Sequence, residues 1–230
     1  MRLTLNFEPS ERVFETPVED FVVGFVQKML GDGNKWHNSF SAYNISTMQG
    51  WDIKDGKIYF PKGGYFHISS IDMEFMKTIT DNLLKCYDTA VLRDMKLKNF
   101  SFTADSIHSD YDIVKTISPI LLKTKDNRIV TFKDDDFIRL LTEQCKAKLL
   151  HNGFNESDVR DFEIQPFHFE DAVVKYTKRK NYSLPASRVM LVIKGKPKCR
   201  KVLYEMGIGS STGYCYGTVE IMKIHIDNIN

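Results

Sequence analysis

Hydrophobic and polar residues alternate at the start of the chain. In residues 2–9 a leucine or phenylalanine recurs at every second position, which is the pattern of a half-buried strand. Residues 18–30 then change to helical spacing, and Gly31 follows as a stop signal. Residues 16–19, Thr-Pro-Val-Glu, predict a capping box with proline at the first helical position. The chain therefore opens with a strand and an amphipathic helix.

The rest of the first half continues with strands and one more helix. Asp55-Gly56 separates two strand-like runs and is the strongest short signal for a β-hairpin. The predicted strands are residues 39–46, 51–60, 64–71 and 91–103, and the predicted helix is residues 72–87.

The second half repeats this plan with different residues. Residues 112–124 and 128–132 are predicted to pair around Asp126-Asn127, before a helix at residues 134–153. Strand-like patterns at 159–177 and 187–196, a short helix at 199–206 and a closing strand at 217–226 follow. Two successive β-α-β-β-α-β units predict an α+β protein of two tandem ferredoxin-like (RRM-like) domains. The predicted domains are residues 1–110 and 111–230.

Composition is that of a folded protein, and charge is unevenly distributed. Of 230 residues, 42% are hydrophobic and 27% are charged, which is ordinary for a globular chain. No apolar run reaches the roughly 20 residues that span a bilayer, and residues 1–14 lack the apolar core of a signal peptide. These features favour a cytoplasmic protein without membrane contact. Residues 113–230 carry a net charge of +6 and residues 1–112 carry −4. The second half is therefore the candidate for binding a polyanion, although a solvated surface with uneven charge explains the same split.

The four cysteines give no sign of a metal site. They are far apart and form no Cys-x-x-Cys pair, which argues against zinc. In a reducing cytosol they are expected to be free thiols. We therefore predict neither a metal nor another cofactor.

Glycines and hydroxyl residues concentrate between the last helix and the last strand. Gly207, Gly209, Gly213 and Gly217 lie there, with Ser210, Ser211 and Thr212 among them. The order helix, glycines, strand is the reverse of a dinucleotide-binding βαβ unit, and the Gly-Lys-Ser/Thr of a Walker motif is missing. Glycines permit close approach to the main chain, and a row of N–H groups can hold phosphate. We therefore expect residues 207, 209 and 210–213 to contact a phosphate-bearing ligand; a merely tight connection is the alternative.

This glycine stretch resembles the loop of the CRISPR repeat-processing endoribonucleases of the RAMP superfamily. Their loop reads roughly Gly-Ile-Gly-Ser-x₄-Gly-Phe-Gly, and residues 207–210 and Gly217 match it. Cys215 replaces the penultimate glycine, and Tyr216 replaces the phenylalanine. The resemblance covers nearly the whole chain in outline, including "TISPILL" at residues 116–122 and "HNSFSAYNIS" at residues 37–46.

The resemblance also points to a catalytic histidine. His37 lies in a polar loop after the first helix, where an exposed imidazole can meet a substrate and transfer protons near neutral pH. In the family the catalytic histidine commonly precedes the aromatic strand, as His37 does. Lys35 would then stabilise the scissile phosphate, and Tyr43 would position the ribose unless it is a core tyrosine of the strand. Some relatives have a tyrosine on the first helix and a lysine before the strand. Here Val22, Val23 and Ser41 stand at those places.

A basic segment at residues 175–188 is the second candidate for RNA contact. It interleaves cations with Tyr176 and Tyr182, so that charges for phosphates lie beside rings for stacking; a solvated hairpin tip is the alternative. The cations are Lys175, Lys178, Arg179, Lys180 and Arg188. The aromatic signature of an ordinary RNA-recognition motif is missing from the central strands.

These observations lead to one expected function and two alternatives. The resemblance implies a metal-independent endoribonuclease that cuts CRISPR precursor RNA within the repeat, leaving 5′-hydroxyl and 2′,3′-cyclic phosphate ends. Its partner would be repeat RNA, with or without other CRISPR effector subunits, and the protein would be a monomer or a homodimer. A non-cleaving RAMP subunit that scaffolds a ribonucleoprotein is the first alternative. A regulatory protein that binds a small metabolite is the second.

Overall fold

The first half of the molecule is a five-stranded antiparallel sheet covered by two helices. The structure is a computed structural model that describes residues 1–14, 17–36, 42–104, 107, 110–168, 173–179 and 182–222. The strands are β1 (Arg2–Phe7), β2 (Ser10–Phe14), β3 (Tyr43–Ile45), β4 (Asp52–Lys54), β5 (Lys57–Phe60), β6 (Gly64–Ser70), β7 (Val91–Leu92) and β8 (Met95–Thr103); the helices are α1 (Val18–Leu30) and α2 (Met73–Lys85). The sheet order is β3-β6-β1-β8-β7, and β2, β5 and β4 form a smaller sheet.

The second half repeats the order of the first. Its strands are β9 (Tyr111–Thr116), β10 (Leu122–Lys123), β11 (Ile129–Val130), β12 (Glu163–His168), β13 (Val173–Arg179), β14 (Tyr182–Ser187), β15 (Met190–Lys194) and β16 (Val219–Ile221); its helices are α3 (Phe137–His151), α4 (Glu156–Val159) and α5 (Pro197–Met206). The four-stranded sheet runs β12-β15-β9-β16. In both sheets the first strand of the unit lies between the third and the fourth, and the second lies outside the third. This order is that of a ferredoxin-like domain, so the predicted tandem fold is confirmed.

The patterns in the sequence correspond to the observed faces. On β1, Leu3, Leu5 and Phe7 are buried in the first core, as the alternation predicts. Asp55 and Gly56 both have positive φ, 51° and 72°, in the turn that joins β4 to β5. Left-handed conformations at both positions are typical of the tight hairpin turn that Asp-Gly favours.

Several predicted boundaries were wrong. α1 begins at Val18, so Pro17 is its N-cap and not its first helical residue; the Thr16 part of the predicted capping box lies outside the described residues. Residues 91–103 form two strands because Arg93 turns back with φ 59°. Residues 112–124 divide into β9 and β10, and only β10 pairs with β11. The long pattern at 159–177 contains two strands, β12 and β13, preceded by α4.

Each half has its own hydrophobic core. One core is formed by buried residues between Leu3 and Leu97, and the other by buried residues between Val114 and Val219. The strands of the first sheet end at Thr103, and those of the second begin at Tyr111. The division into domains at residues 110 and 111 remains our proposal. One residue departs from this arrangement, because Cys215 packs into the first core.

Candidate nucleic-acid interface

The connection between α5 and β16 is tightly wound. We call residues 207–217 the glycine loop. Gly207, Gly209 and Gly217 have φ of 75°, 82° and 69°, and Ser211 and Cys215 share this left-handed conformation. A short 3₁₀ turn, Thr212–Tyr214, lies at the centre of the loop. A left-handed backbone is costly for residues with a Cβ, which explains why glycine recurs here.

At the glycines of this loop, other parts of the protein occupy the space that a side chain would need. A Cβ at Gly209 would lie 2.7 Å from the Leu121 carbonyl oxygen, and one at Gly213 would lie 2.8 Å from the ring of Tyr43. At Gly217 it would meet the Ile208 carbonyl group, whose carbon would be only 2.9 Å away. Side chains are therefore excluded by packing of the loop on its own protein. The glycines do not need a ligand to explain them, and contact of residues 207–213 with RNA stays a prediction.

Buried hydrogen bonds fix the glycine loop to β3 in the other half. The Asn44 amide donates to the carbonyl oxygens of Thr212 and Tyr216, at 3.3 and 3.0 Å. It also accepts from the Thr218 hydroxyl at 2.5 Å, and the Thr212 hydroxyl donates to the Tyr43 carbonyl oxygen at 3.1 Å. Asn44 is completely buried, so the loss of these partners would leave polar groups without water or protein. The network holds the loop in one position relative to the first half.

Cys215 anchors the glycine loop to the core of the first half. Its side chain is fully buried in the core of the first half, and burial raises the pKa of its thiol well above the usual range. It therefore behaves as a small apolar group and not as a nucleophile. It also adopts φ 63°, so a residue with a side chain takes the left-handed conformation that glycine adopts most easily.

Tyr43 connects the loop to α1. It is 5% exposed, and its ring stacks on Phe75 at 4.5 Å and packs against Gly213. Burial raises the pKa of Tyr43, as does nearby Tyr214, while its hydroxyl is hydrogen-bonded to Gln27. Tyr43 is thus a strand-core tyrosine whose hydroxyl reaches the glycine loop. With a raised pKa it stays protonated at neutral pH and can serve as a hydrogen-bond donor.

A hollow of about 510 Å³ lies at the C-terminal end of α1. It is lined by Gln27, Lys28, Gly31, Asp32, Gly33 and Asn34. Gln27 is also hydrogen-bonded to the Tyr43 hydroxyl. In addition, α1 contacts the 3₁₀ turn of the glycine loop. The hollow, Tyr43 and the centre of the loop are therefore neighbours. Sequence reasoning missed Gln27, because a single glutamine on an amphipathic helix carries no signal of its own.

The loop that follows α1 is only partly described. Lys35 is exposed and forms an ion pair with Glu74, which raises the pKa of Lys35. Trp36 donates to Asp72 at 2.8 Å and packs edge-on against Phe75, the ring that also stacks on Tyr43. Lys35 and Tyr43 thus reach the same end of α2. His37, the predicted catalytic residue, lies outside the described residues.

His67 is the histidine of the first half that the structure describes, and its surroundings do not suit proton transfer. It lies on β6, half-buried, with Nδ1 2.9 Å from the Thr4 hydroxyl. Burial, helped by Arg2, lowers the pKa of His67 to about 4. A histidine with this pKa is neutral at pH 7 and is a weak base there.

The basic segment forms a hairpin. Lys175, Lys178 and Arg179 lie on β13, which pairs with β14, and Arg188 lies half-buried just after β14. Lys180 lies outside the described residues. The hairpin geometry fits both an RNA-binding arm and a solvated tip, so the role of these cations stays a prediction.

The described part of the chain gives no indication of a metal or a membrane span. Within residues 1–222, outside the gaps given above, no three His, Cys, Asp or Glu side chains are grouped to hold an ion. The four cysteines have free thiols. Among the same residues, no helix is long and apolar enough to cross a bilayer.

The chain thus consists of two ferredoxin-like units that contact each other through the glycine loop, and comparison with known proteins identifies its family. Residues 105–221 match the sequence profile described as "CRISPR associated protein Cas6, C-terminal". This match covers half of the chain, and the protein belongs to the Cas6 family. A comparison with curated proteins found no match.

Solved structures share the fold over nearly the full length. A Cas6-related protein from Pyrococcus furiosus superimposes with a TM-score of 0.80 at 19% identity, covering 97% of this chain and 98% of that chain. A structure named "CRISPR associated protein Cas6" gives 0.76 at 19% identity, covering 97% and 99%. One described as "An RAMP protein binding different RNA substrates" gives 0.75 at 17% identity, covering 97% and 100%. At this level of identity the similarity establishes the fold.

Proposed function

We propose that the protein is a metal-independent endoribonuclease that binds CRISPR precursor RNA and cleaves it within the repeat. One observation carries the proposal: in a chain of the Cas6 family, the end of α1, Tyr43 and the glycine loop lie together. The segment that contains His37 connects α1 to β3. Both of its described neighbours belong to this region, since Trp36 contacts Phe75 and Ala42 precedes Tyr43.

The proposed reaction is an internal transesterification. A base removes the proton of the ribose 2′-hydroxyl, whose oxygen attacks the adjacent phosphorus. The bond from phosphorus to the 5′-oxygen then breaks, and that oxygen receives a proton. The products are a 2′,3′-cyclic phosphate and a 5′-hydroxyl. His37 is the proposed proton-transfer group, Lys35 would stabilise the charge on the phosphate, and Tyr43 would hold the ribose by a hydrogen bond.

The alternative is a RAMP subunit that binds repeat RNA without cutting it. The replacement of two side chains that some relatives have favours this alternative. Val22, at the place of their helix tyrosine, is completely buried in the first core, and Ser41 stands at the place of their lysine. Gln27 is the polar side chain that α1 offers to Tyr43, and an amide does not transfer protons as a phenol or an imidazole can.

One experiment separates the two functions. Repeat RNA from the same genome is incubated with the protein in EDTA, and the ends of the products are analysed. Cleavage at one phosphodiester, with 5′-hydroxyl and cyclic phosphate ends, is the result we expect. Tight binding with intact RNA would replace the enzyme by the scaffold.

We expect Tyr43→Phe to reduce cleavage about tenfold while repeat RNA still binds. The substitution keeps the ring on Phe75 and removes only the hydroxyl that is bonded to Gln27. One neutral hydrogen bond contributes about 0.5–1.5 kcal/mol, and the upper end of this range corresponds to roughly tenfold in rate if the bond acts in the transition state. The measurement is single-turnover cleavage at saturating protein. Tyr59→Phe is the control, because Tyr59 lies on β5 in the smaller sheet formed by β2, β5 and β4. Equal rates for both variants would remove Tyr43 from the reaction.

Neutralising the basic hairpin should weaken RNA binding and flatten its salt dependence. For Lys178→Gln, Arg179→Gln and Lys180→Gln combined, each lost phosphate contact lowers the slope of log K against log salt by about 0.7 for a single strand. Binding is measured by fluorescence anisotropy at salt concentrations between about 50 and 200 mM. Lys54→Gln with Lys57→Gln is the control, because these exposed lysines flank the hairpin turn of the first half. An unchanged slope in the triple variant would make the basic hairpin an ordinary solvated tip.

A further inference from the structure

A second cleft, of about 450 Å³, lies between α3 and the first part of the glycine loop. It is lined by Gln144, Ala147, Lys148 and His151 of α3 and by residues 209–212 of the loop. Tyr43 and Gly213 are not among the lining residues. The lining contains a lysine, hydroxyls and an amide but no carboxylate, a composition that suits a ligand with negative charge.

Lys148 is the charged group of this cleft. It is 9% exposed, and its ammonium group donates to the Gly207 carbonyl oxygen at 3.0 Å. An ammonium has three donors, so this contact leaves capacity for a ligand. Burial lowers the pKa of Lys148 to about 8, and the group therefore keeps most of its charge at pH 7. A buried charge is costly unless an opposite charge or several hydrogen bonds compensate it, and an anion in the cleft would supply both.

Gln144 adds an acceptor one helical turn away. Its Nε2 donates to the Ser210 hydroxyl oxygen at 3.0 Å, while its Oε1 is buried and has no hydrogen-bond partner within the described ranges. Ser210 Oγ also accepts from the Lys123 backbone N–H at 3.2 Å, which leaves its own O–H to donate. The cleft thus presents donors beside a single unsatisfied acceptor. A phosphate alone would satisfy the donors. A phosphate next to a hydroxyl would satisfy both the donors and the Gln144 acceptor.

We propose that this cleft binds one ribonucleotide of the RNA that is not the one being cleaved. Lys148 and Ser210 donate to its backbone phosphate, and Gln144 Oε1 accepts from the neighbouring ribose 2′-hydroxyl. Residues 144 and 148 are four apart on α3 and lie on one helix face, so both can reach a single nucleotide. The inference rests on the proposed function for the RNA, and it adds a site that prefers RNA to DNA without taking part in the chemistry.

The test uses Lys148→Met in the full-length protein, with Lys146→Met as the matched control. Lys146 lies on the same helix, and its ammonium group donates to the Arg160 carbonyl oxygen and does not line the cleft. The probe is repeat RNA with a 2′-deoxy group at the cleaved position, so that binding is measured without turnover. We expect Lys148→Met to bind about tenfold more weakly and to lower the salt slope by about 0.7. Lys146→Met should match wild type in affinity, in salt slope and in single-turnover cleavage of ordinary RNA at saturating protein. Thermal melting verifies that the variant is folded.

A second arm tests the hydroxyl contact. Probes with one further 2′-deoxy substitution at each position in turn should reveal one nucleotide, away from the cleaved bond, whose deoxy form binds wild-type protein several-fold more weakly. Gln144→Leu should remove that penalty at that position, because the acceptor is gone.

The outcomes separate the inference from the proposed function. If wild-type protein binds and cuts the RNA but Lys148→Met matches Lys146→Met in affinity and salt slope, the cleft is not an RNA site and only the inference fails. If inorganic phosphate raises the melting temperature of wild type but not of Lys148→Met, while RNA affinity is equal for both, the cleft holds free phosphate and the RNA assignment is wrong. If wild-type protein neither binds nor cuts repeat RNA, both the proposed function and the inference fail.

Discussion

His37→Ala is expected to slow cleavage of repeat RNA by about 10²-fold or more. Loss of one general acid–base group costs on the order of 10²–10⁴ in rate, and histidine is the side chain whose ordinary pKa suits this role near neutral pH. Binding of the RNA should change little, since proton transfer acts in the transition state. The measurements are single-turnover cleavage and the affinity for a non-cleavable probe. The pH–rate profile should also lose its limb near the ordinary histidine pKa.

His67→Gln provides the control for this experiment. The amide can keep a hydrogen bond to the Thr4 hydroxyl, which is 2.9 Å from His67 Nδ1. Because the pKa of His67 is about 4, its imidazole is neutral at pH 7. Its replacement therefore removes neither a general acid nor an effective base. Cleavage at the wild-type rate by His37→Ala would exclude His37 as the proton-transfer group. A loss in His67→Gln as large as that in His37→Ala would point to a structural effect on the first half.

Local periodicity was sufficient to predict the fold because each sheet buries one face. The alternation in β1 and the helical spacing of α1 and α2 follow directly from which side chains reach the first core. Strand breaks were harder to predict because they depend on single backbone conformations. At Arg93 a non-glycine residue takes a left-handed turn between β7 and β8, and nothing in its side chain indicates this.

The candidate site was only partly predictable for a related reason. Glycine signals a special backbone, but the sequence does not say whether a ligand or the protein occupies the space beside it. At Gly209 and Gly213 the protein occupies it, through Leu121 and Tyr43. Substituting these glycines would therefore disturb packing before it tested RNA contact.

Lys148 carries a signal from which the cleft beside α3 could have been predicted in the sequence. It occupies the inward face of α3, at the same spacing from Leu141 and Cys145 as the apolar residues of that face. A lysine in an apolar stripe is rare unless it has a partner. Asn44 carried no comparable signal, since its partners lie about 170 residues away in sequence and become neighbours only when the two halves meet.

Gly217 is the most tightly packed glycine of the glycine loop, and we expect its substitution to cause a large loss of stability. Gly217→Ala should destabilise the protein by about 3–5 kcal/mol, combining the strain of a left-handed residue with the overpacking of a buried site. The new methyl group would meet the Ile208 carbonyl group. Relief would require the loop to move, which breaks the bonds from Ile208 N–H to the Gly217 carbonyl oxygen and from Gly217 N–H to the Pro119 carbonyl oxygen, both 2.9 Å. This loss is a large fraction of the 5–15 kcal/mol that stabilises a typical domain.

Gly153→Ala separates the two contributions. Gly153 also has a left-handed backbone, with φ 85°, but a Cβ there would have no heavy atom within 4 Å. Its cost should be only the conformational one, about 1–2 kcal/mol. The free energy of unfolding of both variants is measured by urea denaturation. If Gly217→Ala loses no more than Gly153→Ala, the loop yields easily around Ile208. The bonds of Gly217 to Pro119 and Ile208 would then contribute little to the stability of the loop.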